Sequence, residues 1–283
     1  MQNITIKNEF LKVEICPKGA ELVSVYKGQE NFLWEIDRSF WDKTSPVLFP
    51  IVGGLKDGSY EFNGRKYQLP RHGFARDYDF EITESTEESA TFTLKHSHRT
   101  LEIYPFEFTL SIKYYILESK LFIQYIVTNT SSINMYYSIG AHPAFSIVGS
   151  FENYSLEFDR ADNLTTYKLS NNLFSGDTNE IVLEDNVLPL NYSLFEQDAI
   201  VLKNATTSHL TLLKNKVPKF KVSFPDFPFL GIWTKKHAPF ICIEPWLGLA
   251  DIHHTSGKLE EKEGILSLAP GSTQSHQWNV EFY

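Results

Sequence analysis

Residues 105–116 carry a large apolar side chain at every second position, Phe106, Phe108, Leu110, Ile112, Tyr114 and Ile116, with mostly polar residues between them. A period of two belongs to a strand with one face on a core and the other in water, and it rules out an amphipathic helix over the same residues. Residues 121–128 resume the alternation after Glu118-Ser119-Lys120, which predicts an antiparallel return paired locally. The same pattern recurs in shorter runs. Residues 10–15 and 21–26 flank the turn Pro17-Lys18-Gly19. Tyr60 and Phe62 lead into Asn63-Gly64, and Tyr67 and Leu69 follow it; Asn-Gly supplies the positive φ angles of a tight hairpin. Runs at 199–203, 209–213, 220–224, 229–234 and 240–243 come at nearly even intervals, the rhythm of a sandwich or barrel. The 22 Phe and 14 Tyr concentrate in such runs, where a pleated, half-buried surface favours them. The fold class expected is all-β.

No internal repeat, low-complexity tract or Pro/Gly/Ser-rich linker divides the 283 residues, so one large β domain over 1–283 is the economical reading. Residues 39–43 and 255–264 each have room for a single helical turn. The apolar segment 46–54, broken by Pro46 and Pro50, reads as irregular backbone that lines something. Residues 146–191 are polar and read as loop-rich decoration with short strands at 155–158 and 180–183. Residues 265–268 and 274–283, joined through Pro270-Gly271, predict a closing hairpin.

A formal net charge of -9 without any Lys/Arg run argues against nucleic acid and anionic membrane as partners. The first residues lack a charged stretch followed by a long apolar one, and no run reaches transmembrane length, so a cytoplasmic location is expected. Cys16 and Cys242, the two cysteines, lie in apolar strand-like runs and read as reduced core thiols.

Chemistry concentrates at three places. Residues 240–248, Phe-Ile-Cys-Ile-Glu-Pro-Trp-Leu-Gly, put a carboxylate at the end of an apolar run. In a strand, Phe240, Cys242 and Glu244 share one face and Ile241 and Ile243 the other. Pro245 cannot donate to a ladder, so the strand is expected to stop there and leave Glu244 at a rim. A buried Glu that only accepts backbone hydrogen bonds is the competing reading. His72 sits in the loop Pro70-Arg71-His72-Gly73-Phe74-Ala75-Arg76, and His142 is bracketed by Gly140 and Pro143. Metal ligation finds no convergent third ligand at His253-His254 or at His96 and His98. There is no Gly-x-Ser-x-Gly elbow and no phosphate-cradling glycine loop before a helix. Two imidazoles and a carboxylate suffice for proton shuttling without metal or cofactor, and Phe74, Phe145 and Trp246 beside them offer flat faces for a sugar ring.

The segments Arg71-His72-Gly73-Phe74-Ala75-Arg76, Gly140-Ala141-His142-Pro143-Ala144-Phe145 and Ile243-Glu244-Pro245-Trp246-Leu247-Gly248-Leu249-Ala250-Asp251, in that order, resemble the aldose 1-epimerase family, particularly its LacX-like branch. The resemblance runs through nearly the whole chain. It implies a large antiparallel β-sandwich, the galactose mutarotase-like fold, with an open groove for a monosaccharide. It also implies Glu244 as general base, His142 as general acid and His72 as a ligand of the ring oxygen and hydroxyls. Arg76 and Arg71 are candidate substrate contacts within the first motif, as is Phe74. Trp233 and Trp246 are added here as ring-packing candidates and Asp251 as a hydroxyl contact. The family pattern departs at Gly54, where many relatives carry a sugar-binding arginine, a role open to Arg71. The activity implied is interconversion of hexose anomers, without metal or cofactor, by a monomer or homodimer. A hexose-6-phosphate 1-epimerase and a non-catalytic sugar-binding module are the alternatives on the same fold.

Overall fold

The computed structural model describes residues 2–160 and 163–283. Its centre is the hairpin Phe108–Leu117 and Lys120–Asn129, in register from Phe108 opposite Asn129 to Leu117 opposite Lys120. Glu118 makes the turn in left-handed backbone, φ 51°. Phe108, Leu110, Ile112, Tyr114 and Ile116 on one strand and Leu121, Ile123, Tyr125 and Val127 on the other are buried, as the period of two requires. The hairpin belongs to a nine-stranded sheet that runs, edge to edge, from Val187–Pro189 through Tyr154–Phe158, His209–Lys214, Val217–Ser223 and Thr273–Phe282 to the hairpin, then Ser89–Lys95 and Glu81–Ser85. All its pairings are antiparallel.

A second sheet is built on Phe240–Leu247, which pairs with Phe229–Trp233 on one side and with Ile139–Gly140 and Ala144–Ser146 on the other; Ile200–Lys203 extends it beyond Phe229–Trp233. The two faces of Phe240–Leu247 have different neighbours. Ile241 and Ile243 join the apolar cluster that also holds the nine-stranded sheet's Ile112, Leu121, Ile123, Val280 and Phe282, so this face is the sandwich interior. Phe240, Cys242 and Trp246 pack into two smaller clusters on the opposite face, where Glu244 also points. Two polar groups inside the main core find partners: Trp278 Nε1–H donates to the Tyr125 hydroxyl at 3.2 Å, and the Tyr114 hydroxyl to the Ala20 carbonyl at 2.8 Å. Ile4–Lys7, Lys12–Cys16, Glu21–Lys27 and Glu30–Asn31 make a four-stranded sheet at the start of the chain.

Four segments differ from the sequence expectation. The strand expected to stop before Pro245 continues to Leu247, because Pro245 falls opposite a break between Gly140 and Ala144 where a missing N–H costs little. Residues 146–191 contain a long hairpin, Asn163–Ser170 with Leu173–Val182, instead of mere decoration. Leu266–Leu268 pairs with Met135–Tyr137, while Thr273–Phe282 lies between Lys120–Asn129 and Val217–Ser223, so the two do not form a closing hairpin. His98–Ile103 is a short helix whose start is set by Ser97, its hydroxyl accepting the Thr100 N–H while the Thr100 hydroxyl accepts the Ser97 N–H. The turn expected at 39–43 is a hydrogen-bonded turn on Asp37, and the one at 255–264 is a 3-10 turn at Leu259–Glu261. No helix among the described residues is long and apolar enough to cross a membrane.

The segment after Phe240–Leu247 is fixed by Asp251. Its Oδ1 meets Lys262 Nζ at 2.6 Å with both side chains almost wholly buried, and its Oδ2 accepts the Lys56 N–H at 2.9 Å. Burial lowers the Lys262 pKa, an effect opposed by the Asp251 charge. Breaking such a pair strands a charge in low dielectric, so Asp251→Ala is expected to destabilise the protein by about 3–5 kcal/mol. A urea midpoint indistinguishable from that of the parent protein would contradict this clamp.

Candidate active site

The ladder between Phe240–Leu247 and its neighbour is interrupted. Ile139 and Gly140 stand opposite Leu247 and Trp246, Ala144 to Ser146 stand opposite Cys242 to Phe240, and Ala141, His142 and Pro143 lie between. Pro143 has no N–H to give and Pro245 faces the gap, so neither strand can close it with regular pairing. The backbone stays anchored on both sides, through the Ala141 N–H to the Pro245 carbonyl at 3.0 Å and the Ala144 N–H to the Thr44 carbonyl at 2.8 Å. Held there, His142 brings Nε2 to 3.3 Å from Glu244 Oε2.

Across the strand from Glu244 is Gly231. A Cβ on Gly231 would sit 2.5 Å from the Trp246 ring, and one on Gly140 would sit 2.7 Å from it. Two glycines therefore leave room for the Trp246 indole to lie against the sheet beside the carboxylate. His72 comes from the loop after Arg65–Gln68 and adopts φ 68°, a left-handed backbone that few non-glycine residues take. Two bonds to Gly53 hold it: the His72 N–H donates to the Gly53 carbonyl at 2.9 Å, and Nδ1 accepts the Gly53 N–H at 3.1 Å. A backbone N–H can only donate, so Nδ1 is the bare nitrogen and Nε2 carries the proton. His72 is a neutral hydrogen-bond donor, consistent with burial, assisted by Arg71, His142 and Arg76, holding its pKa well below the usual value.

These side chains border one cavity of about 320 Å³, lined by Trp41, Arg71, His72, Arg76, His142, Leu169, Asp198, Ala199, Trp233, Glu244 and Trp246. The volume lies at the low end of small-molecule sites, about 300–1,000 Å³. One wall is aromatic: the Trp41 ring centroid is 4.9 Å from that of His142 and 5.7 Å from that of Trp233, and His72 meets His142 edge-on at 5.9 Å. Three buried polar atoms of the lining have no hydrogen-bond partner: His142 Nδ1, Glu244 Oε2 and Trp246 Nε1. Orphans of this kind are costly unless a ligand or water meets them.

Burial at the floor of the cavity sets the charges. Burial pushes the Glu244 carboxyl well above its ordinary pKa, opposed by the Arg71 guanidinium. Burial lowers His142 to about 3, with a bond to its own backbone acting in the opposite direction and the two arginines adding to the depression. Burial thus favours the protonated carboxyl at Glu244 and the neutral imidazole at His142, one proton for the two groups. Cys242 brings its Sγ within 4.8 Å of the ligand atoms of both, and burial raises the pKa of its thiol.

Of the residues singled out in the sequence, Glu244, His142, His72, Arg71, Arg76, Trp233 and Trp246 line the cavity. Phe74 and Asp251 are not among its lining. Phe74 is 3% exposed and packs on Phe49, Tyr78, Tyr104 and Phe108, beneath the loop that presents His72. Asp251 is committed to Lys262 and Lys56. Trp41, Leu169, Asp198 and Ala199 went unnoticed, since each reaches the cavity through contacts remote in sequence. Gly54 faces the tip of the 163–182 hairpin, where a Cβ would come within 2.9 Å of the Asn172 carbonyl. Asn172 Oδ1 accepts from Arg71 at 2.7 Å, and the Arg71 carbonyl accepts from Arg76 at 2.8 Å.

Residues 2–267 match the model of a protein family described as aldose 1-epimerase. A chromosomal LacX protein of Lactococcus lactis subsp. lactis is 33% identical over 98% of this chain and 98% of its own. A galactose mutarotase-related enzyme of Lactobacillus acidophilus superposes with a TM-score of 0.93 at 32% identity, over 100% of this chain and 97% of the other. A galactose mutarotase-like protein of Lactobacillus casei ATCC 334 gives a TM-score of 0.94 at 31% identity, with 100% of both chains covered. With a family match over nearly its full length and relatives of this identity and coverage, the chain belongs to the aldose 1-epimerase family and has the antiparallel, galactose mutarotase-like β-sandwich fold.

Proposed function

We propose that this protein interconverts the α and β anomers of a free aldose, with Glu244 and His142 as the exchanging acid–base pair. The observation that carries the proposal is the 3.3 Å contact between His142 Nε2 and Glu244 Oε2 at the floor of a sugar-sized cavity. In the empty cavity the shared proton rests on the carboxyl, since burial disfavours charge on both groups. Its passage to Nε2 gives carboxylate and imidazolium. The carboxylate then takes the anomeric hydroxyl proton as the C1–O5 bond breaks, and the imidazolium delivers its proton to O5. The products are an open-chain aldehyde and a pair that again holds one proton. Rotation about C1–C2 presents the other carbonyl face, and the same transfers in reverse close the ring to the opposite anomer. His72 Nε2–H, Arg71 and Arg76 are the donors available to ring oxygen and hydroxyls, and Trp41, Trp233 and Trp246 are the apolar faces available to the ring.

A hexose 6-phosphate is the second reading, favoured by two guanidinium groups in the lining. Each guanidinium spends one nitrogen within the protein, Arg71 on Asn172 and Arg76 on the Arg71 carbonyl, and the Asp198 carboxyl shares the cavity. The Asp198 carboxyl beside them favours the neutral sugar.

Polarimetry of freshly dissolved α-glucose and α-galactose tests the reading. Glu244→Gln keeps the side-chain shape and removes the base, so kcat is expected to fall about 10²–10⁴-fold, the usual worth of one positioned proton transfer. Near-parental exchange would rule out the assigned role, and sugar binding without any exchange would point to a non-catalytic binding protein. The pH dependence of kcat/KM should follow the one-proton form of the pair. Activity is lost below about 3, as His142 takes up a second proton, and is lost again above the raised pKa of Glu244, as the pair gives up its only one. An acid limb centred near pH 6.5 would show that His142 is not depressed. With glucose and glucose 6-phosphate side by side, the larger kcat/KM is expected for glucose, and the reverse order would favour the phosphorylated substrate.

A further inference from the structure

Transfer of the shared proton from Glu244 leaves His142 as an imidazolium inside the protein, and its surroundings only partly suit a cation. Burial and the Arg71 and Arg76 guanidinium groups oppose the charge, while the new carboxylate 3.3 Å away supports it. Among the described residues three aromatic rings meet that of His142. His72 and Trp233 stand nearly at right angles to it, 86° at 5.9 Å and 81° at 5.8 Å between centroids. Trp41 is nearer, at 4.9 Å, and inclined by only 31°, so these two rings lie largely face to face. An indole face carries the negative side of the ring quadrupole and attracts a cation within about 6 Å, most strongly where water is excluded.

The chain fixes Trp41 in this position. The segment that carries it is strapped to Ala144, two residues past His142, at both ends: the Trp34 N–H donates to the Ala144 carbonyl at 3.0 Å, and the Ala144 N–H to the Thr44 carbonyl at 2.8 Å. Between those ends the backbone turns on Asp37, whose carbonyl accepts the Phe40 and Trp41 N–H groups at 2.9 and 3.0 Å. Lys235 holds the turn from outside, its Nζ donating to the Ser39 and Phe40 carbonyls at 3.3 and 3.0 Å. The Trp41 ring also rests against Trp233 at 5.7 Å and Phe240 at 5.8 Å.

From this arrangement we propose that Trp41 is a positioning residue of the exchange reaction. It acts through His142: the indole face fixes the plane of the imidazole and stabilises the imidazolium formed when the Glu244 proton reaches Nε2. The inference rests on the anomer-exchange reading and adds a member to its machinery. No bond forms or breaks at Trp41, and the proton moves only between Glu244, His142 and the sugar. Because the contact strengthens as the charge forms, it acts on kcat more than on KM.

Fluorination at position 41 tests this, because it keeps the shape of the indole while drawing electron density from its face. With mono-, di- and trifluorinated tryptophan placed in turn at that position alone, kcat for glucose is expected to fall with each fluorine. The loss over the series should reach about tenfold, the worth of one desolvated contact of this kind, while KM stays within about twofold. Trp41→Phe, which keeps an aromatic face, should retain more of kcat than Trp41→Leu, which keeps only apolar bulk. A series flat in kcat overturns the role of Trp41 in the acid–base pair. So does one in which only KM rises, which marks the indole as a surface for the sugar. Either result leaves the exchange reading intact so long as the parent protein exchanges glucose and Glu244→Gln does not. A parent protein that exchanges neither glucose nor galactose overturns both.

Discussion

Placing a carboxyl group where only 1% of Glu244 is exposed is the constraint from which the other features of this structure follow. A sheet interior offers such a group no regular partner, and its burial is tolerable only if it is neutral or opposed by charge. The broken ladder supplies the answer. Because Pro143 and Pro245 prevent the strands from keeping a regular ladder across the gap, His142 can turn from the edge and meet the carboxyl. Were the ladder continuous, alternation and pairing would fix every residue of this segment, and the imidazole could not reach the carboxyl in this way. A break that looks like a defect in the sheet is what sets the acid–base geometry.

The surroundings are arranged to keep that geometry fixed. Gly140 and Gly231 admit the Trp246 indole beside the carboxylate, and His72 is locked in one tautomer by its two bonds to Gly53. Phe74, although it lies outside the cavity, packs the underside of the His72 loop among Phe49, Tyr104 and Phe108. Gly73 lies so close to the Phe49 carbonyl that a Cβ would fall 2.2 Å from it. The loop is therefore seated on the sandwich core, and preorganisation of this kind spares the reaction the cost of ordering its donors at each turnover.

Which parts were legible in the sequence follows from where the determining contacts lie. The central hairpin announced itself because its burial alternates without exception over ten residues per strand and its partner is two residues away. Glu244, His142 and His72 were visible because a titratable residue beside Gly or Pro in apolar surroundings violates local expectation. Of the hairpin Asn163–Ser170 with Leu173–Val182 only the end near 180–182 was legible, because much of it is exposed and no apolar period marks the rest. Trp41 lies in the stretch 39–43, where no local pattern marks it, because what makes it part of the wall is contact with His142 and Trp233, 101 and 192 positions away. The extent of the strand through Pro245 was misread because the cost of a proline depends on whether a partner needs its N–H, and only the three-dimensional ladder reveals that none does.

The glycine at position 54 links these observations. Its lack of a side chain lets the hairpin tip approach, and the Asn172 carbonyl occupies the space that a Cβ would need. With the tip there, the Asn172 side chain holds Arg71, and the Arg71 carbonyl holds Arg76. Those guanidinium charges act on the pair in one direction. Arg71 favours the carboxylate at Glu244, against burial, and both arginines disfavour protonation of His142, with burial. Moving the tip outward would release Arg71 toward solvent, where water screens its charge, and the balance at Glu244 would shift further toward the neutral acid. A larger residue at position 54 thus reaches the proton held at the floor of the cavity without touching it, through the hairpin tip, an asparagine and an arginine.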